Sequence, residues 1–370
     1  CAAENVDAST AVDILGLLLE RCPEATRYAN NRGYLPIQLA VVKLKSFEFC
    51  RMLIEAYPGS ERITSSGGEL PIPPLLHLAC EYSMVATAEY LYQLYPECIN
   101  LADEDGRYPI HSAIILLKTE IAATAVEVVQ FLLECDPSLA SQTLGECSPL
   151  FMVGLLESTG VNVAPIMSVV LKVLHLLYDA HPEAINDNLI EAFLDRFPEE
   201  MQNFINAQLT YAHQARDSTL MNTHDVNGQL PLHRALCDNV TIGSIKLLVK
   251  GNRDALRIPD NDGALPLHLA ILNHDSTEVV DYLVGLDSDT LTAVDRGGNT
   301  ALHYACRGAK YDTISLLLED YGAVSVSKTN GHNKLPIHLL LESDAIANRE
   351  DDTKYTESIF RLLRAYPDTL

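Results

Sequence analysis

The chain has 370 residues, 48% of them hydrophobic and 21% charged, and 50 acidic against 26 basic residues give a net charge of −24. That balance suits a folded soluble chain and repels phosphate backbones, so a protein surface of basic charge is the expected partner rather than nucleic acid. Nine cysteines, an odd number with no C-x-x-C pair, argue against a disulfide framework or a zinc site.

The thiols therefore read as reduced, which places the chain in the cytosol or nucleus. No signal peptide is visible. The densest apolar run, Pro165 to Tyr178, is broken by Lys172 and His175 and is too short to span a bilayer, so no membrane insertion is expected.

Taken from its start, the chain alternates apolar helical stretches with turns. Val12 to Glu20 reads as a helix with no complete helix ahead of it. The hexapeptide Leu35-Pro36-Ile37-Gln38-Leu39-Ala40 then opens a series. Leu75-Leu76-His77-Leu78-Ala79 and Tyr108-Pro109-Ile110-His111-Ser112-Ala113 follow, with Ser148-Pro149-Leu150-Phe151 as a weak copy. The later copies, at Leu230-Pro231-Leu232-His233, Leu265-Pro266-Leu267-His268, Thr300-Ala301-Leu302-His303 and Leu335-Pro336-Ile337-His338, stand 35 residues apart. A fixed period of this size is the signature of stacked repeats.

Each copy has a local physical logic. Pro at a first helical position loses no hydrogen bond, because that N–H has no partner inside the helix. The Leu and Ala that follow share one helical face and seat it on its neighbours. Turns precede the helices, at Asp103-Glu104-Asp105-Gly106, Asp225-Val226-Asn227-Gly228 and Asp260-Asn261-Asp262-Gly263. There Asp bonds its own backbone and Gly accepts positive φ. A second apolar helix completes each unit, as over Thr277 to Val284. Several second helices stop at proline: Cys22-Pro23, Ala56-Tyr57-Pro58, Leu94-Tyr95-Pro96, Ala180-His181-Pro182 and Ala365-Tyr366-Pro367.

Irregularities are concentrated in the first half. The turn from Gly59 to Pro74 is long and rich in Ser, Gly and Pro, and extra residues separate the helices near His111, over 157–165 and over 344–354. Between Asn186 and Asn222 the hexapeptide is absent, although Leu189 to Leu194 and Met201 to Asn206 keep helical spacing, as in a degenerate pair. The chain divides on this reading into an N-terminal stack (1–185), a degenerate junction (186–222) and a C-terminal stack (223–370). Cooperative unfolding is expected to stop at the junction. The first helix lacks a partner and the last closes a second helix, so the expectation is a piece of a longer protein.

The hexapeptide resembles the T-P-L-H-x-A signature of ankyrin repeats. The resemblance implies an all-α ankyrin-repeat solenoid of about nine to ten helix-turn-helix units with short turn fingers. It also implies a non-enzymatic protein–protein interaction module, its partner held by the fingers and the exposed side of the first helices, which line a concave face. The alternative is a regulatory or targeting segment of a larger enzyme or channel. Matching positions are Asn31, Arg32 and Tyr34; Glu104, Asp105 and Arg107; Val226, Asn227 and Gln229; Asn261, Asp262 and Ala264; Arg296 and Asn299; His332 and Lys334. On the helices they are Asp238, Asn273 and Arg307.

No residue is assigned to catalysis, a cofactor, a metal or a small-molecule substrate. His77, His111, His233, His268, His303 and His338 occur one per unit, roughly 10 Å from their neighbours at ordinary helix spacing, against a metal–nitrogen bond near 2 Å. They are expected to hydrogen-bond backbone in their own and the adjoining unit. In the ankyrin family the Thr hydroxyl of the motif also bonds this His, and here only Thr300 retains it. His274-Asp275-Ser276 lacks triad geometry and reads as a helix cap, and no G-x-G-x-x-G occurs.

Overall fold

Proline stands at the first position of the helices that begin at Pro36, Pro109, Pro231, Pro266 and Pro336, as the hexapeptide predicts. The computed structural model describes residues 8–63, 74–118, 122–154, 156, 164–186, 194–238, 240–274, 276–322, 325–343 and 352–365. The chain divides into two compact units, Cys1–Phe204 and Ile205–Leu370. Among the described residues there is no strand, only a bridge between Leu144 and Cys147.

The first unit contains α1 (Ala8–Arg21), α2 (Pro36–Val42), α3 (Phe47–Ala56), α4 (Leu75–Glu81) and α5 (Val85–Leu94). It continues with α6 (Pro109–Ile115), α7 (Ala125–Cys135), α8 (Pro149–Gly154) and α9 (Met167–Ala180). First helices stack in order, α2 on α4, α4 on α6 and α6 on α8, and second helices do likewise, α1 on α3 through to α7 on α9. The division between units falls within α10 (Glu199–Arg216).

The second unit holds α11 (Pro231–Cys237), α12 (Ile242–Gly251), α13 (Pro266–Asn273), α14 (Thr277–Leu286), α15 (Ala301–Arg307), α16 (Tyr311–Glu319), α17 (Pro336–Glu342) and α18 (Asp352–Ala365). Here α11 packs on α13, α13 on α15 and α15 on α17, with α14 on α16 and α16 on α18. Each repeat thus contacts its sequence neighbours, which makes an all-α solenoid in each unit. Burial explains the arrangement: Leu267 and Ala270 of α13 are 2% and 0% exposed, while Leu272 of the same helix is 48% exposed. Cys80 and Cys306, which follow the motif alanine, are fully buried as small core residues.

Proline at the end of the second helices does more than stop them. Pro23, Pro96, Pro137 and Pro182 each begin a five-residue 3₁₀ turn. The residue before it is extended, with Tyr95 at φ −148° and ψ 78° and Asp136 at φ −151° and ψ 98°. Asn252 and Asp287 adopt the same geometry without a following proline. Their side chains accept the N–H of Ala255 (3.3 Å) and Asp289 (3.3 Å), as that of Asp136 accepts Ser138 N–H (2.9 Å).

These turns carry a link between repeats that the sequence did not reveal. Arg27, at the end of one turn, stacks over the Tyr57 ring that ends the next second helix, 5.3 Å from its centroid, and Arg62 does the same over Tyr95 at 4.2 Å. Asn100 bonds Asp136 (3.1 Å), Asn252 bonds Asn222 (3.0 Å) and Arg257 bonds Asp287 (2.8 Å) at the corresponding place. Each pair has at least one exposed member, so they orient neighbouring repeats more than they stabilise them.

The segments read as insertions, over 64–73, 157–163 and 344–351, lie outside the described residues, as does 187–193. After 187–193 the chain resumes in a short turn, Leu194–Arg196, and Phe197 packs on Phe151 with centroids 6.2 Å apart. It also lies over Gly154, where an added Cβ would meet its ring at 2.6 Å. Further along α10, the buried Gln208 carbonyl accepts the Ser244 hydroxyl (2.5 Å) of α12. We expect denaturant unfolding in two steps, with the second unit the later to melt, because the repeat between Pro182 and Asp225 lacks the Pro-Leu-His start. Coincident transitions for probes placed in each unit would contradict this.

Candidate protein-binding face

The finger turns are built around one side-chain oxygen. Asp103 accepts the N–H groups of Asp105 (3.0 Å) and Arg107 (2.9 Å). Asp225 does so for Asn227 (2.8 Å) and Gln229 (2.9 Å), and Asp260 for Asp262 (3.0 Å) and Ala264 (2.8 Å). Asn30 and Asn330 repeat the pattern, with Arg32 and Tyr34 and with His332 and Lys334. Gly33, Gly106, Gly228, Gly263 and Gly298 take positive φ in these turns, and Asn333 (φ 60°) takes the place of glycine in the last.

In the second unit the fingers are also bonded to one another. Asn261 N–H donates to the Asn227 carbonyl (2.9 Å), Arg296 N–H to Asp262 (3.0 Å) and Gly331 N–H to Gly297 (2.7 Å). The four fingers therefore form a continuous rim held by backbone.

Behind the rim, the recurring histidines are structural. Nδ1 of His111, His233, His268, His303 and His338 accepts the N–H of the residue capping its own helix, at 2.9–3.2 Å. On the opposite side, Nε2 of His77, His111 and His303 reaches the carbonyls of Arg107 (2.9 Å), Gln142 (3.1 Å) and Lys334 (3.1 Å) in the next repeat. The Nε2 atoms of His233 and His268 are buried and have no hydrogen-bond partner among the described residues. His77 loses the Nδ1 bond for a simple reason: its capping residue is Pro74, which has no N–H.

Thr300 Oγ1 does lie 2.8 Å from His303 Nδ1, yet the units lacking Thr keep the backbone bond, so loss of that hydroxyl does not dissolve the network. Gln38, the copy without a histidine, does both jobs. Its Oε1 accepts Leu35 N–H (2.8 Å) and its Nε2 donates to the Ile63 carbonyl (3.0 Å). Sequence spacing signalled this substitution, since Gln38 sits at the histidine register. The expectation of an adjoining-unit bond is not met at the buried His233 and His268 nor, among the described residues, at the exposed His338. Burial holds His77, His111, His233 and His303 below the usual imidazole value, and His268 at about 4. A proton on Nδ1 would also face the capping N–H.

The face positions named from the sequence separate into two groups. Arg107 pairs with Asp103 (2.9 Å) and Asp105 (2.7 Å), so two of the three carboxylates in that finger are taken. Asp238 accepts the Tyr211 hydroxyl, Asn273 donates to Leu269 (3.0 Å) and Asn261 to the Val226 carbonyl (3.2 Å). Asn299 bridges Asp295 (3.0 Å) and Asn330 (2.9 Å), Lys334 pairs with Glu342 (2.5 Å), and Gln229 reaches Cys237 (3.9 Å). Tyr34 is half-buried. Asn31, Arg32, Glu104, Asn227, Asp262, Arg296, Arg307 and His332 are exposed.

Two surface residues on the first helices, Cys237 and Leu272, escaped sequence reasoning. The 35-residue register aligns Arg307 with Cys237 and Leu272, not with Asp238 and Asn273, and both Cys237 and Leu272 are exposed. Val226, at a finger tip, is 93% exposed. Ser276 acts as the expected helix cap, accepting Glu278 N–H (3.2 Å), while Asp275 lies outside the described residues. Among the described residues no group of His, Cys, Asp and Glu is arranged to hold a metal, and no helix is long and apolar enough to cross a membrane.

Finger turns with a Pro-Leu-His helix start and a backbone-bonded histidine define a repeat class, and comparison with known families agrees. The family described as ankyrin repeats (3 copies) matches residues 199–292, and ankyrin repeats (many copies) matches 267–318. Residues 199–318 of this chain are ankyrin repeats, a kind of module that generally binds other proteins. Comparison with curated proteins finds none that matches the chain.

Proposed function

We propose that the chain is a non-enzymatic interaction module that holds a protein partner on the finger and first-helix face of its second unit. The observation that carries this reading is the bonded rim. Its backbone is committed from Asn227 to Gly331, while Val226, Asp262, Arg296 and His332 project from it and Leu272 and Arg307 lie exposed on the helices behind. A rigid scaffold with exposed apolar and charged side chains limits the ordering cost of binding. The histidines that invite a catalytic reading are spent on backbone hydrogen bonds.

The net charge of −24 favours a basic partner segment, with Asp262 as its counter-charge in this unit and Glu104 in the first. Arg296 and Arg307 mark where the partner's own carboxylates would sit. Eight described cysteines are free thiols, which supports a cytosolic or nuclear setting. Capture from cell extract on immobilised protein, read by mass spectrometry, identifies the partner. Leu272→Asp and Arg307→Glu should each weaken its capture roughly tenfold or more without lowering the melting temperature. Glu278→Lys on a second helix should not. The reverse pattern would place binding on the opposite surface.

A further inference from the structure

In the second unit the arginines of the second-helix turns are committed within the chain. Arg253 donates to the Leu286 carbonyl (2.9 Å), and Arg257 pairs with Asp287 (2.8 Å) and Asp289 (2.9 Å). On the finger and first-helix face the position is different. Arg296 and Arg307 are exposed, and among the described residues neither guanidinium has a hydrogen bond or an ion pair. The finger carboxylates of that face are occupied instead. Asp225, Asp260 and Asp295 accept N–H groups of their own turns, and Asp295 also accepts the Tyr304 hydroxyl (2.9 Å). A guanidinium offers a planar fork of N–H donors that matches a carboxylate, so the open donors here are a recognition element.

The sign of the charge changes along the stack. One register of the first helices holds Cys237, Leu272 and Arg307, 35 residues apart and all exposed. Beside Cys237 stands Asp238, also exposed, whose Oδ2 accepts the Tyr211 hydroxyl while Oδ1 has no bond among the described residues. Across α11, α13 and α15, which pack in that order, the row therefore reads carboxylate, leucine, guanidinium. These repeats lie inside the stack, since α17 packs on α15.

The rim makes the same change in the same direction. Asp262 is exposed in one finger and Arg296 in the next, and Arg296 N–H donates to the Asp262 carbonyl (3.0 Å), which fixes the two side by side. Arg234, half-buried, is the one described cation on the fingers and first helices of the two repeats at the negative end.

We propose, resting on the reading that this face holds the partner, that it takes an extended segment of mixed charge: a basic side chain on Asp238, an apolar one on Leu272 and a carboxylate on the Arg307 guanidinium. First helices pack about 10 Å apart and a strand advances about 3.3 Å per residue, so the three side chains stand roughly three residues apart. The net charge of −24 by itself would select a uniformly basic segment. Arg307 and Arg296 repel one, so the face selects the order of charges and not their total.

The test is fluorescence anisotropy of labelled peptides titrated with the whole chain. The probes are Lys-x-x-Leu-x-x-Glu and its reverse, Glu-x-x-Leu-x-x-Lys, with serine at x, and versions carrying Lys at both ends or Glu at both ends. One of the two mixed peptides should bind roughly tenfold or more tightly than either uniform one, and which of them does so gives the direction of the bound segment. Arg307→Glu should transfer the preference to the uniform Lys peptide. Asp238→Asn, which keeps an acceptor for Tyr211, should remove the advantage over the uniform Glu peptide. Leu272→Asp should weaken all four, and every variant should keep the wild-type circular dichroism melt. A uniform Lys peptide that binds the wild-type chain as tightly as the mixed ones, or no saturable binding of either mixed peptide up to about 1 mM, would overturn the charge order. Capture of the partner from extract separates that failure from failure of the face itself. Leu272→Asp still lowers capture in the first case and leaves it unchanged in the second.

Discussion

Acidification from pH 7 to pH 4 should destabilise the fold by several kcal/mol, with the buried histidines as the principal cause. Burial holds these imidazoles below the ordinary value near 6.5, and His268 falls to about 4. The unfolded chain therefore takes up protons first as the pH drops. The stability these groups contribute is complete above about pH 6.5, declines as the pH falls towards 4, and stops changing below the folded-state value. For His268 alone, the fall from 6.5 to about 4 corresponds to about 3 kcal/mol.

Urea titrations at a series of pH values would measure this loss. His268→Ala should cost about 1–3 kcal/mol at pH 7 by leaving buried backbone groups unpaired. His268→Gln should retain most of that stability, as Gln38 does at the same register, and flatten the dependence between pH 6.5 and 4. A His268→Gln variant with the wild-type pH profile would show that this imidazole is not the titrating group.

Gly263→Ala should be among the most damaging single substitutions in the second unit, at roughly 2–3 kcal/mol. Two costs combine there. Gly263 has φ +79°, where a Cβ costs about 1–2 kcal/mol. The Cβ would also stand 2.7 Å from the Arg296 backbone nitrogen, which donates to the Asp262 carbonyl and joins the two fingers. Losing that bond adds about 1 kcal/mol.

Gly322→Ala separates the terms, because Gly322 has φ +76° and nothing within 4 Å of an added Cβ. It should show the backbone cost alone. Equal losses at the two positions, measured by denaturant midpoint, would mean that the contact between fingers contributes nothing.

Much of this fold was legible because its signals are local. Pro266 sets a helix start through its own φ, and Asp260 locks a turn by bonding N–H groups two and four residues on. Leu267 and Ala270 face one side by helical spacing alone. Repetition of those short signals every 35 residues in the second half disclosed the solenoid and the residues of its rim. The same locality explains the weak reading of 186–222, where the signal is missing even though α10 forms.

What the sequence could not decide depends on residues one repeat apart. Whether Arg107 meets a partner or its own Asp103 and Asp105, whether Asn299 is available or bridges two fingers, and why Tyr57 precedes Pro58 all follow from the stacked neighbour. So does the fate of each motif histidine: His303 is buried because Lys334 and α17 lie against it, while His338, at the same register of its helix, is exposed. Proline φ, turn bonding and helical periodicity act within a few residues and determined the class of fold by themselves. The spending of side chains across 30 to 36 residues was settled only when the repeats packed, because it requires atoms from two repeats to meet.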